Sequence, residues 1–283
     1  MNETVSQKKD INTGSEILSV HVGLPEKLDL ETPFQDTGSC GNSFTASAWK
    51  NDIVCTKLIL SNRGDCGLNA RIETGILVSE TGSTISPENI RIRRMQNVCV
   101  NIGRNDPQAP VRSFPDILLP AGPTDKEYLT AEIPAHSSVP AWIDISIPKD
   151  TVPGCYRGAL TITVDSGDPA SIVVECTLHV IDLVQPAPSD TGTLVELWQY
   201  PFAVAEYYGI KETEYFTDTH FNYLSDSLTA YRETGGTAVT ATIVEEAWNH
   251  QSFYGNPSMI KWFRRTDGTF SFDYSWYDRW VSY

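Results

Sequence analysis

Glu245-Glu246 is followed at once by Ala247-Trp248-Asn249-His250-Gln251, and Phe253 and Tyr254 come one residue later, after Ser252. Two carboxylates are what acid–base cleavage of a glycosidic bond needs, one to protonate the leaving oxygen and one to act across the ring. Flat aromatic rings accept the C–H faces of sugars, and amide and imidazole groups bond to hydroxyls. Glu245, Glu246, Trp248, Asn249, His250 and Gln251 are therefore candidate contacts for a polyhydroxylated small molecule. Adjacent residues of extended chain point in opposite directions, so the two carboxylates cannot both flank one bond. One can reach a ligand hydroxyl while the other faces a helix or solvent, and a structural hydrogen bond stands as the equal alternative to ligand contact. Trp198-Gln199, ahead of Tyr200-Pro201, is a second aromatic–amide pair. For single aromatics the packing alternative stands: Trp248 and Phe253 against a neighbouring hairpin, Trp198 within a core.

Other chemistries find no support. His250 has no serine or cysteine nucleophile motif beside it, and no partner at metal-ligand spacing. His21, His136 and His179 are isolated. The cysteines Cys40, Cys55, Cys66, Cys99, Cys155 and Cys176 form no CxxC pair, so no zinc site is predicted. Glycine-rich phosphate loops and dinucleotide fingerprints do not occur, and no cofactor is expected.

The elements that must hold these residues change character along the chain. Up to about Asp182 the period is two: Asp52–Leu60, Leu68–Val78, Glu127–Ile133, Pro140–Ile147, Ala159–Val164 and Ser171–Ile181 read as strands. Leu160, Ile162 and Val164 share one face, as do Ile143, Ile145 and Ile147. Serial strands of this kind predict a β-sandwich over residues 1–182. Trp49 and Trp142 fit its core or its border better than a sugar platform. Residues 183–192, rich in proline, read as a linker.

Beyond the linker, in residues 193–283, Thr193–Leu197 is a strand candidate and Pro201 stops it. Phe221, Leu224, Leu228 and Tyr231 give Phe216–Arg232 helical spacing, with Thr217 or Asp218 as cap. Thr237–Val244 is a second strand candidate that would place Glu245-Glu246 at its end. Asp267-Gly268 marks the turn of a hairpin over Met259–Phe272. Ser275-Trp-Tyr-Asp278 has the form of a capping box, opening a helix whose Trp276, Trp280 and Tyr283 share a face.

Net charge is -15, from 36 acidic and 21 basic residues, which argues against nucleic-acid and anionic-membrane partners. There is no run of 18 apolar residues and no leader-like start, so a soluble chain is expected; six reduced thiols would suit the cytoplasm, while their even number also permits disulfides.

Leu197-Trp-Gln-Tyr-Pro201, Glu245–Gln251, Trp262, Asp267-Gly268 and Phe272-Asp-Tyr274 resemble the opening of the catalytic domain of glycoside hydrolase family 123. Trp49, Phe114-Pro-Asp116 and the corner Pro148–Gly158 resemble that family's N-terminal domain. The resemblance implies a mainly β chain: an N-terminal β-sandwich followed by the first βα units of an incomplete (β/α)₈ barrel. It implies a carbohydrate or glycoside substrate, of β-N-acetylhexosaminide type, cleaved by an Asp-Glu pair working with the substrate's own acetamido group. That pair lies later in the family's barrel, so no catalytic residue is carried over here. This chain alone is expected to be inactive. An unfinished barrel would leave Trp276 and Trp280 exposed and favour self-association. The alternative is a non-catalytic carbohydrate-binding or surface interaction module.

Overall fold

A computed structural model describes residues 17–23, 42–101, 108, 111–118, 128–165, 170–249 and 254–283. The chain is mainly β and divides into two compact units, Met1–Gln185 and Pro186–Tyr283.

In the first unit, alternation of small apolar and polar residues produces two sheets that close on one core. The five-stranded sheet has the order β1-β3-β10-β7-β8, with β1 Leu18–Gly23, β3 Ile53–Asn62, β7 Ile90–Asn101, β8 Val111–Leu118 and β10 Ser137–Ser146. The other runs β2-β12-β11-β4-β9, with β2 Ser43–Lys50, β4 Leu68–Thr74, β9 Tyr128–Ile133, β11 Gly154–Val164 and β12 Ala170–Val184. The short strands β5 (Leu77–Ser79) and β6 (Thr84–Ile85) add to β11's edge. All pairings are antiparallel except β2 on β12. Leu58, Leu60, Ile92, Ile143 and Ile145 from the first sheet meet Ile72, Leu160, Ile162, Val174 and Leu178 from the second, all buried. That interdigitation is the dominant stabilising term, roughly 1.5–3 kcal/mol for each large aliphatic side chain.

Two polar devices lie within this apolar frame. Buried Asn62 donates to the carbonyls of Cys66, Ile133 and Pro134 and accepts the Gly64 N–H, joining β3 to the end of β9. Asp144 accepts from Arg93, from Trp142 Nε1 at 2.7 Å and from the Cys55 thiol at 3.3 Å. Trp142 is thus half-buried and anchored, whereas Trp49 is largely exposed. The expected Leu68–Val78 strand is two strands, and Ala159–Val164 begins five residues earlier, at Gly154. β12 runs on to Val184, through the start of the predicted linker.

In the second unit the helices carry the packing. α1 (Pro201–Tyr208) opens with proline at its first position and stops at Gly209, whose φ of 67° suits a residue without Cβ. α2 spans Asp218–Glu233 and α3 Ser275–Ser282. Phe202, Phe216, Phe221, Leu224, Met259 and Trp280 form the core, with Trp276 packed against it.

Three local expectations are corrected here. Thr193–Leu197 and Thr237–Val244 are extended but form no ladder, since only Val195 and Gly236 make a parallel bridge. Side chains take the ladder's place: Gln199 Oε1 accepts the Thr240 N–H at 2.7 Å, and the Tyr231 hydroxyl bonds to the Val195 and Ala238 carbonyls at 2.8 Å each. Ser275 is the first helical residue rather than the cap, because Asp273 accepts its N–H at 2.9 Å. That contact holds the Asp273 carboxyl below its usual range. Finally, Trp280 is only 3% exposed, because it and Trp276 fill the space over Phe216.

Candidate functional site

The segment after Val244 turns rather than continues straight, with Glu246 and Asn249 at φ of 50° and 51°. This turn separates the adjacent carboxylates. Glu246 folds back on Asn256: its N–H donates to the Asn256 carbonyl at 2.8 Å, and its Oε1 accepts the Asn256 N–H at 3.2 Å. Glu245 is exposed and lines a cleft of about 610 Å³.

That cleft joins residues distant in sequence. Glu212 and Tyr215 come from the loop ahead of α2, and Ile243, Val244 and Glu245 from the second extended segment. Lys261 and Trp262 come from β13 (Lys261–Arg264), and Trp276 from α3. Lys261 Nζ sits 2.9 Å from Glu212 Oε1 and 3.8 Å from the centre of the Trp276 ring. A cation over an indole face gains roughly 0.5–1 kcal/mol where solvent reaches it. Burial, with the Glu206 and Glu212 carboxylates nearby, pushes the Tyr215 phenol above its ordinary value. Glu212 and Glu246 are thus both engaged. Among the described residues Glu245 has no ion pair or hydrogen bond to its side chain, and it lines the cleft together with Trp262 and Trp276.

Trp198, 55% exposed, lies 5.7 Å from Trp248 between ring centres, and Trp248 lies 4.8 Å from Tyr200. Trp198 and Tyr200 border a second, more apolar cleft of about 520 Å³ with Tyr207, Tyr208, Leu228 and Tyr231. Gln199 turns its amide to the backbone, donating to the Leu197 carbonyl and accepting from Thr240. Asn249 is exposed in the turn. His250 and Gln251, like Phe253, lie outside the described residues. Trp262 does not join the Trp198–Trp248 pair: its ring packs on Phe270 and Phe272.

Glu212, Tyr215 and Lys261 escaped the sequence reading, and Trp276 was read only as part of a helix face. Glu212 and Lys261 carry no local motif, and only the fold brings them together. His220 also escaped it. Its ring is fully buried, Nδ1 accepting from the Phe216 N–H at 3.0 Å and Nε2 donating to the Pro201 carbonyl at 2.9 Å. Burial lowers its pKa below the ordinary 6.5. It is neutral and structural. No cluster of metal-ligating side chains occurs among the described residues, nor a helix long and apolar enough to cross a membrane.

Comparison with known proteins gives two adjoining matches. Residues 31–164 match the glycoside hydrolase 123 N-terminal domain and residues 198–283 the glycoside hydrolase 123 catalytic domain. No curated protein matches the sequence. Among solved structures, a family 123 glycoside hydrolase from Clostridium perfringens, described through glycolipid glycan hydrolysis, is 36% identical with a TM-score of 0.83. The alignment covers 94% of this chain and 44% of that enzyme. A PapD-like domain of human CEP192 follows at 11% identity and a TM-score of 0.33, covering 65% of this chain and 99% of that domain, a likeness that carries no argument. With both domain matches falling in family order, and with a family enzyme superposing over nearly the whole chain, this protein belongs to glycoside hydrolase family 123.

Proposed function

We propose that the chain supplies a glycan-contacting part of a family 123 hydrolase of β-N-acetylhexosaminide type and does not hydrolyse glycosides by itself. In this reading residues 1–182 are the companion sandwich. Residues 193–283 are the first βα units of the (β/α)₈ barrel, and 183–192 join the two. Substrates would be glycans, including lipid-linked ones of the kind named for the Clostridium enzyme.

The division of Glu245 from Glu246 carries the proposal. One carboxylate stands open to an aromatic-walled cleft while its neighbour is bound to the Asn256 N–H. A sugar ring stacked on Trp262 or Trp276 would give hydroxyls to Glu245, a binding arrangement. Acid–base cleavage needs two carboxylates acting on one bond. Of the two carboxylates that line this cleft, Glu212 is neutralised by Lys261, and Glu246, outside the lining, is bound to the Asn256 backbone. Trp198 and Trp248 would then wall a neighbouring position, and Asn249, His250 and Gln251 would supply its polar contacts. Gln199 would align the extended segments rather than touch sugar.

The test is titration of the chain with N-acetylhexosamines, read by tryptophan fluorescence, beside a chromogenic N-acetylhexosaminide assay. Saturable quenching without turnover is expected, and Glu245→Gln should weaken it about tenfold, as for a charge-assisted hydrogen bond of roughly 1.5–3 kcal/mol. Turnover by this chain would overturn the inactivity, and absence of saturable binding would overturn the site.

A further inference from the structure

We propose that His220 is the positioning residue of the cleft: by accepting the Phe216 N–H it fixes the segment that brings Glu212 and Tyr215 to the cleft wall, and a proton added to its ring releases that segment. The effect on sugar binding rests on the glycan reading above; the positioning itself does not.

Residues 212–216 enter α2 through a backbone reversal. Phe216 has a φ of 57°, a left-handed conformation that a bulky residue keeps only where its surroundings impose it. Here they act on every part of it. The Phe216 N–H donates to His220 Nδ1 at 3.0 Å, and its carbonyl accepts from Arg279 of α3 at 3.0 Å. Its ring packs on Phe202 and Trp280, at 5.3 and 5.9 Å between centres. The reversal divides neighbours: Tyr215 lines the cleft, while Phe216 is fully buried in the core. Glu212 is drawn in as well, since the Tyr215 N–H donates to the Glu212 carbonyl at 3.2 Å. Glu212 in turn pairs with Lys261, whose ammonium lies over Trp276. One buried acceptor thus stands behind that whole side of the cleft.

Only a neutral ring can serve. Nδ1 must be bare to accept, which leaves the proton on Nε2, donated to the Pro201 carbonyl at 2.9 Å. A second proton has to go to Nδ1, and two N–H groups then point at each other. The other titratable or charged groups around the ring are the Tyr215 phenol, 5.9 Å away between ring centres, and Arg279 on the Phe216 carbonyl. Beside Tyr215 stand the Glu206 carboxylate of α1 and Glu212. None of them bonds to the imidazole, so burial governs its charge and keeps it neutral at neutral pH.

The experiment is hydrogen exchange of the 283-residue chain, read by mass spectrometry on peptides spanning 212–217, with two variants that divide the ring's roles. His220→Asn keeps an acceptor near the Nδ1 position. His220→Gln sets its amide near the Nε2 position and leaves Phe216 without one. His220→Gln should speed exchange of these peptides about tenfold or more, and His220→Asn about twofold at most. In the wild type the same peptides should lose protection as pH falls below 6.5, corrected for intrinsic exchange, while the interior of α2 keeps it. His220→Asn should show no such step. Quenching by N-acetylhexosamines should weaken about tenfold in His220→Gln. Equal exchange in the two variants, or loss from 212–217 and α2 together on acidification, overturns the proposal, as does undiminished quenching in His220→Gln. The expected exchange pattern with no saturable quenching by the wild type supports the positioning and overturns the glycan reading instead.

Discussion

Glu246 and Asn256 hold each other through two hydrogen bonds, Glu246 N–H to the Asn256 carbonyl and Asn256 N–H to Glu246 Oε1. The pair closes the turn that begins at Glu245. Glu246→Ala should lower the stability of the second unit by about 1–3 kcal/mol, because the buried Asn256 amide loses its acceptor. Glu245→Gln should leave the melting temperature unchanged. Thermal melts of both variants check this, and equal destabilisation would show that the two carboxylates are not divided as described.

His220 makes stability depend on pH. Its folded pKa is depressed by burial, so the unfolded chain binds the proton more readily. The contribution is fully present above the ordinary pKa of 6.5 and is lost as pH falls through that value toward the folded pKa. Melts of the second unit from neutral to acid pH should show this decline. His220→Ala should cost about 2–4 kcal/mol through its cavity and two lost hydrogen bonds, and should flatten the profile.

The Pro148–Gly158 corner is closed from within by Tyr156, fully buried, whose hydroxyl donates to the Val152 carbonyl at 2.7 Å. Two residues on, a Cβ at Gly158 would lie 2.6 Å from the Ile76 carbonyl oxygen and from a Leu77 methyl. Tyr156→Phe should destabilise the sandwich by about 1 kcal/mol. Gly158→Ala should cost about 1–3 kcal/mol through backbone displacement. Denaturant titration of each variant measures both, and a neutral Gly158→Ala would mean that β5 yields easily.

Cys55 should be the slow thiol despite being accessible. Burial, then its hydrogen bond to Asp144, raises its pKa to about 11, so almost no thiolate forms at neutral pH. Alkylation followed by peptide mass spectrometry should modify exposed Cys66 and Cys99 well before Cys55. Asp144→Asn should speed Cys55 by removing the adjacent charge.

The sandwich was legible where alternation used Val, Ile, Leu and Thr. β7 alternates as regularly, with Ile90 and Ile92 buried, but its outward face is arginine, one of which pairs with Asp144. Such a strand escapes a reading keyed to apolar runs. α1 escaped although Pro201 and Gly209 frame it, because its Tyr207-Tyr208 end blurs the apolar stripe. The absent ladder could not be read either, since nothing local says that Gln199 and Tyr231 will supply the bonds. At the cleft, the expectation for Glu245 and Glu246 assumed extended chain, whereas their separation comes from the turn at Glu246, whose φ of 50° no local spacing announces. The Lys261, Glu212 and Trp276 cluster was not legible either, because no spacing rule links side chains so far apart.

Tyr231 also sets an order in time. Its hydroxyl can reach Val195 and Ala238 only after α2 has formed and the chain has turned back at Gly236. Helix turns appear within about a microsecond, whereas the Val195–Gly236 closure must wait for a long loop to be ordered. Alignment of the two extended segments is therefore expected to be the late event in folding this unit. The Thr240 amide, held by Gln199, becomes its reporter. Pulsed hydrogen exchange that protected Thr240 before the amides of α2 would reverse the sequence of events.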